Sequence, residues 1–113
     1  MEKITWVYKH FNDLSALEYH HILYLRTEVF VVEQNCPYQD CDGKDLQSYH
    51  LMGRNEQGKL LCYTRLLPKG VSYTEYASIG RVVSSPAARG TGAGIVLMEE
   101  SIRQCRQLFG TEP

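Results

Sequence analysis

The sequence has no run of lysine or arginine, and its charges nearly cancel: 12 Lys and Arg stand against 13 Asp and Glu, a formal net charge of −1. That excludes the electrostatic footprint of a nucleic-acid binder, which needs basic side chains clustered on one face. No apolar stretch approaches the roughly 18 residues needed to span a bilayer, so no membrane partner is expected. The opening MEKITWVYKH mixes charged and apolar residues. It lacks the apolar core and small-residue cleavage site of a signal peptide, so a cytoplasmic chain is expected. None of the four cysteines, Cys36, Cys41, Cys62 and Cys105, forms a C-x-x-C pair. The spacing of a structural zinc site is missing, and no metal is expected. In a reducing compartment the four cysteines should be thiols.

What is present is enough for a core. The chain has 113 residues, 43% of them hydrophobic, with eight Tyr, three Phe and one Trp. That suits one globular domain over residues 1–113 and argues against disorder. Ile4 to Tyr8 is rich in β-branched and aromatic residues and reads as a strand. Ser15, with Glu18 three residues on, forms a capping box, and Leu14 and Tyr19 stand at the staple positions around it. Tyr19, Ile22, Leu23, Leu25, Val29 and Phe30 then form one helical stripe. Arg26 lies inside that stripe, where an arginine either snorkels or finds an ionic partner.

Pro37 ends the helix, and NCPYQDCDGKDLQS reads as a long polar loop. Its DCDG invites a calcium reading. The EF-hand register places Gly43 sixth, which puts Tyr38 first and Tyr49 twelfth, and neither supplies a carboxylate. YHLMGR and KLLCYTRLLP flank the turn NEQG as a hairpin, and YASIGRVVSS reads as a further strand closed by Pro86. From Gly92 a helix begins, with Ile95, Met98, Ile102, Cys105 and Phe109 as its apolar stripe and Gly110 as its stop. The order is β-α-β-β-β-α, an α+β domain.

The junction before the last helix carries the strongest chemical signal. RGTGAG, Arg89 to Gly94, packs three glycines into six residues between a strand and a helix. The first amides of a helix have no intrahelical partner and lie at the positive end of its dipole. Glycines let an anion approach them without meeting a Cβ. A P-loop would need Gly-Lys-Ser/Thr where Gly94 is followed by Ile95 and Val96. The fingerprint G-x-G-x-x-G, started at Gly90, would need glycine at Ile95. What remains is R-x-x-G-x-G on Arg89, Gly92 and Gly94. It serves either a phosphate or a tight strand-to-helix turn.

That spelling resembles the coenzyme A pyrophosphate loop of the GNAT acetyltransferases. LRTEVFVVEQNCPYQDCDGKDL, Leu25 to Leu46, is similar to the first helix and following loop of the ElaA-like branch of that superfamily. YHLMGR, CYTRLLP and IGRVVSSPAARGTGAG follow in that branch's order, so the resemblance covers essentially the whole chain. It implies a GNAT-like, mainly antiparallel sheet flanked by helices, and acetyl-CoA as cosubstrate. The backbone of Val82, Val83 and Ser84 would pair with the pantetheine arm. The amides of Arg89, Gly90, Thr91, Gly92, Ala93 and Gly94 would hold the pyrophosphate.

The reaction implied is direct attack of an amine on the thioester carbonyl. It needs a base for the ammonium, a donor for the oxyanion and an acid for the leaving thiolate. The Val82 amide is the implied oxyanion donor. The glutamate base that many members carry on this strand is replaced by Arg81. Glu33 and His50 are the candidate catalytic residues in its stead, with Glu75 a further carboxylate. Arg65 and Arg81, in otherwise apolar strands, pair with Glu33 or the loop aspartates, or bind an acidic group of the acceptor. Asp40, Asp42 and Asp45 either attract a cationic acceptor, a small molecule or a peptide amine, or form a solvated loop.

The family pattern continues with a strand, a helix and a hairpin beyond position 113, so the chain is expected to be C-terminally truncated. A central strand would then be an edge, and the isolated chain is expected to form a homodimer or aggregate. A non-catalytic acyl-CoA-binding or oligomerisation module derived from the same fold is the alternative function.

Overall fold

Ser15 starts the first long helix as the capping box requires. Its hydroxyl accepts from the Glu18 amide at 3.0 Å, and its own amide donates to Glu18 Oε1 at 2.8 Å. The computed structural model describes residues 3–110. The strand β1 (Thr5–His10) leads through a short turn to α1 (Ala16–Arg26), which continues over Thr27–Glu33 in wider five-residue turns. Then come β2 (Tyr49–Arg54), β3 (Leu60–Leu67), β4 (Ser78–Ser84) and α2 (Ala93–Phe109). This is the element order expected from the sequence.

The four strands form one antiparallel sheet in the order β1-β2-β3-β4. All eight residues of β3 are buried, because it is central and covered on both faces. On one face Ile22, Leu25 and Val29 of the first helix pack on Met52, Leu60, Tyr63 and Val83. On the other, Ala93 and Leu97 of α2 pack on Leu51, Leu61, Cys62 and Leu66. The result is a sheet sandwiched between two helical layers. No helix among the described residues is long and apolar enough to cross a membrane.

The stripe expected on α2 is not its buried face. Ile95 is 71% exposed and Ile102 42%, while Ala93, Leu97, Ser101 and Gln104 face the sheet. Hydropathy favoured the large side chains, but small ones let the helix approach β3. Ser101 Oγ sits 2.9 Å from Thr64 Oγ1 and donates to the Leu97 carbonyl. Only the later members of the expected stripe, Cys105 and Phe109, reach the core.

The segment expected as a polar loop is one, and mostly exposed, but it is anchored at three buried positions. Asp40, Asp45 and Ser48 within it are buried, and Gly43–Gln47 forms a short helical turn. Its burial is ionic rather than apolar, and it belongs to the site.

Candidate functional site

Strand β4 is the last strand of the sheet, and its outer flank pairs with no other strand among the described residues. It is also interrupted. Tyr63 faces Val83 and Arg65 faces Gly80, so Arg81 and Val82 together oppose Thr64 in a bulge. Arg81 adopts φ 51°, a left-handed conformation that costs a non-glycine residue roughly 1 kcal/mol or more. The bulge turns Val82 outward: its side chain is exposed, while Val83 packs into the core.

Beyond Ser84 the chain makes a short turn, Pro86–Ala88, and enters the glycine stretch. Gly90 and Gly92 have φ 81° and 85°, so both glycines are required by the backbone path. Gly92 is the N-cap of α2 and offers no side-chain cap. Thr91 partly substitutes: its hydroxyl donates to the Ala88 carbonyl and accepts from the Ala93 amide at 3.4 Å. The amides of Gly90, Thr91, Gly92, Gly94 and Ile95 have no partner among the described residues. Unpaired N–H groups on a chain of alternating backbone hand, at the positive end of a 17-residue helix, form a concavity suited to an anion. A Cβ at Gly94 would come no closer than 3.9 Å to any neighbour, so the space beside it is open.

The second half of the site is an ionic network that ties the loop after α1 to the sheet. Arg26, fully buried, donates from Nε to Asp40 Oδ2 at 2.8 Å and from Nη1 to both oxygens of Asp45, at 3.0 and 3.1 Å. Arg65 reaches Asp45 at 2.9 Å and Asp42 at 2.6 Å. Arg81 reaches Asp40 at 2.9 Å and Asp42 at 3.2 Å. Three arginines thus meet three aspartates, and the formal charges cancel. Tyr19 adds a hydroxyl donated to Asp45 at 2.7 Å, and Tyr38 lies under the Arg81 guanidinium at 5.8 Å. Burial alone would raise the pKa of Asp45, but the Tyr19 hydroxyl, Arg26 and Arg65 outweigh it and hold the carboxyl below its ordinary value.

Both sequence readings of the three aspartates are therefore overturned. They are neither a solvated loop nor an open lure for a cationic acceptor, because each is spent on arginine. Arg26 is ion-paired rather than snorkelling. Arg65 and Arg81 pair with the loop and not with Glu33. The pairs join residues 14 to 41 positions apart, and no local spacing announces them. For the same reason Tyr19 was expected only in the apolar stripe of the helix, and no role was expected of the Tyr38 and Tyr63 hydroxyls.

His50 is fully buried. Its Nε2 lies 2.9 Å from the Asp45 carbonyl, which can only accept, so Nε2 carries the proton and Nδ1 accepts from the Tyr63 hydroxyl at 2.6 Å. Both nitrogens are occupied and burial lowers the pKa. As a base for an incoming amine it has neither a free nitrogen nor a path to solvent. Glu33 is placed differently: its carboxylate is at the surface, 2.6 Å from Arg89 Nη1 at the start of the glycine stretch. Glu75 is exposed in the loop between β3 and β4.

An antiparallel sheet between helices, with an open bulged strand leading into an amide-lined turn, is the architecture of the GNAT acyl-CoA N-acyltransferases. An acyl-CoA N-acyltransferase from Pseudomonas aeruginosa superposes with a TM-score of 0.90 at 47% identity, over 97% of this chain and 75% of that one. The chain belongs to the ElaA/UPF0039 family within that fold. It is 41% identical over 113 residues to ElaA of Escherichia coli, covering 97% of this chain and 72% of ElaA, whose crystal structure superposes with a TM-score of 0.89. A UPF0039 protein of Synechocystis is 46% identical over 102 residues, 90% of this chain and 66% of its own length. The chain thus spans about two thirds to three quarters of the length of these three relatives. No family model matches it.

Proposed function

We propose that this chain carries the acyl-CoA half of an N-acetyltransferase that moves an acetyl group from acetyl-CoA to an amine. The observation that carries the reading is the cluster of amides on Gly90, Thr91, Gly92, Gly94 and Ile95 with no partner among the described residues, set directly after an open strand edge. The pyrophosphate would lie on the stretch Arg89 to Gly94, held by the free amides of Gly90, Thr91, Gly92 and Gly94, since the Arg89 amide donates to the Pro86 carbonyl and the Ala93 amide to Thr91. The pantetheine would run along Val82, Val83 and Ser84. In this reading the Val82 amide would donate to the developing oxyanion. The amine attacks the thioester carbon, loses a proton and expels the CoA thiolate. With His50 sealed in the core, Glu33 and Glu75 are the accessible candidate bases, and Glu33 is the one beside the glycine stretch. The cytoplasm is the compartment proposed, and a small-molecule or peptide amine is the acceptor.

Saturating acetyl-CoA should raise the melting temperature of the chain, because a ligand that binds only the folded state stabilises it by mass action. No shift would overturn the CoA reading. Thiol release from acetyl-CoA with a panel of amines then tests transfer. Stabilisation without release by any amine would support instead the non-catalytic binding module.

The open flank of β4 is also a template for a second strand. A homodimer built by pairing two copies of that edge, antiparallel about a twofold axis, is the proposed state of the isolated chain. Sedimentation at micromolar concentration should show a dimer or larger species, and a stable monomer would refute the pairing.

A further inference from the structure

We infer that Glu33 is a resident counter-anion of the phosphate loop, holding Arg89 until a pyrophosphate displaces it, and so determines which anions the loop accepts. The inference rests on the CoA reading above. Arg89 begins the glycine stretch, with Nη1 at 2.6 Å from Glu33 Oε1 and Nη2 at 3.5 Å from the Ser84 carbonyl. Glu33 comes from the other helical layer, at the end of the widened helix. The pair therefore connects the α1 layer to the mouth of the loop.

Its exposure separates it from the other arginine pairs. The side chains of Arg89 and Glu33 are 44% and 40% exposed, whereas Arg26 and Arg65 are sealed among Asp40, Asp42 and Asp45. An exposed ion pair contributes little, so exchanging its partner costs little. A guanidinium binds phosphate oxygens through two parallel N–H donors, more strongly than it holds one carboxylate oxygen. A pyrophosphate that also collects the loop amides can therefore displace the carboxylate. A small anion without that second set of contacts competes poorly against it. Until it is displaced, the Glu33 charge also repels any anion approaching the loop. The sequence reading made Glu33 a candidate base; the geometry gives it this earlier role, after which its carboxylate is released.

The test is calorimetric titration of the whole chain and its Glu33→Gln variant with acetyl-CoA, acetyl-pantetheine and inorganic phosphate. Glutamine keeps the size of the side chain and removes its charge at an exposed position, and circular dichroism checks that the fold persists. Glu33→Gln should bind acetyl-CoA about two- to fivefold tighter, the scale of an exposed ion pair. Inorganic phosphate should gain by at least as large a factor. Acetyl-pantetheine, which has no phosphate, should be unchanged. Arg89→Ala should abolish the gain. Unchanged or weaker acetyl-CoA binding by Glu33→Gln, or a gain that survives in Arg89→Ala, overturns the inference and leaves the CoA reading intact. An unmodified chain that does not bind acetyl-CoA overturns both.

Discussion

Arg26→Ala should destabilise the chain by about 3–5 kcal/mol, the cost of leaving buried partners without their counter-charge. Arg26 is fully buried, and its guanidinium serves Asp40, Asp45 and the Asp40 carbonyl together. Without it, Asp45 keeps Arg65 and Tyr19, while Asp40 keeps only Arg81 and Tyr38. A domain of this size is stable by roughly 5–15 kcal/mol, so the loss is a large share of the total. Urea unfolding measures it. A change below about 1 kcal/mol would show that the network is not what pins the loop.

The same network sets the acid limit. Asp45 has a folded-state pKa below its ordinary 3.8, so it contributes stability that is present above that value and is lost as pH falls through the folded pKa. His50 is held neutral by burial, with its pKa below 6.5. Its contribution is present above 6.5 and is lost as pH falls from there toward the folded value. Stability should therefore decline in two windows, the first beginning near pH 6.5 and the second below about pH 4. A flat stability profile between pH 7 and pH 5 would contradict the placement of His50.

Gly94→Leu should remove stabilisation by acetyl-CoA while leaving the chain folded. Gly94 lies in the first turn of α2 with no left-handed φ, and a Cβ there meets only Ser84 Oγ at 3.9 Å. The fold has room for a side chain, and leucine is a better helix former than glycine by up to about 1 kcal/mol. The unliganded melting temperature should hold or rise. The added side chain would stand in the space proposed for the phosphates, beside the amides of Gly92, Gly94 and Ile95. Affinity for acetyl-CoA should fall at least about tenfold, which is about 1.4 kcal/mol of binding. Gly92 is a poorer test, because its φ of 85° makes any substitution strain the backbone as well. Undiminished acetyl-CoA binding by Gly94→Leu would return the glycines to the tight-turn reading.

Local order was legible in the sequence because its causes lie within a few residues. The capping box on Ser15 and Glu18, the hairpin turn at NEQG and the β-α-β-β-β-α order all depend on short-range backbone chemistry and hydropathy period. The turn from β4 into α2 is of the same kind: glycines at positive φ and a helix N-terminus are local geometry. The buried face of α2 differs from the expected stripe because three of its four residues, Ala93, Ser101 and Gln104, are small or polar and only Leu97 is a large apolar side chain, and helix approach depends on the sheet beneath it.

What the sequence by itself determined, then, is the order of elements and an amide-lined turn after a strand, since both follow from neighbours along the chain. Only the tertiary structure decided the fate of its charges. Arg26, Arg65 and Arg81 come from one helix and two strands, and they meet Asp40, Asp42 and Asp45 only when the sheet and the first helix have packed. Burial makes each of those charges require a partner, and packing alone determines which partner is within reach. The same packing sealed His50 behind Tyr63 and carried Glu33 to Arg89 at the mouth of the glycine turn.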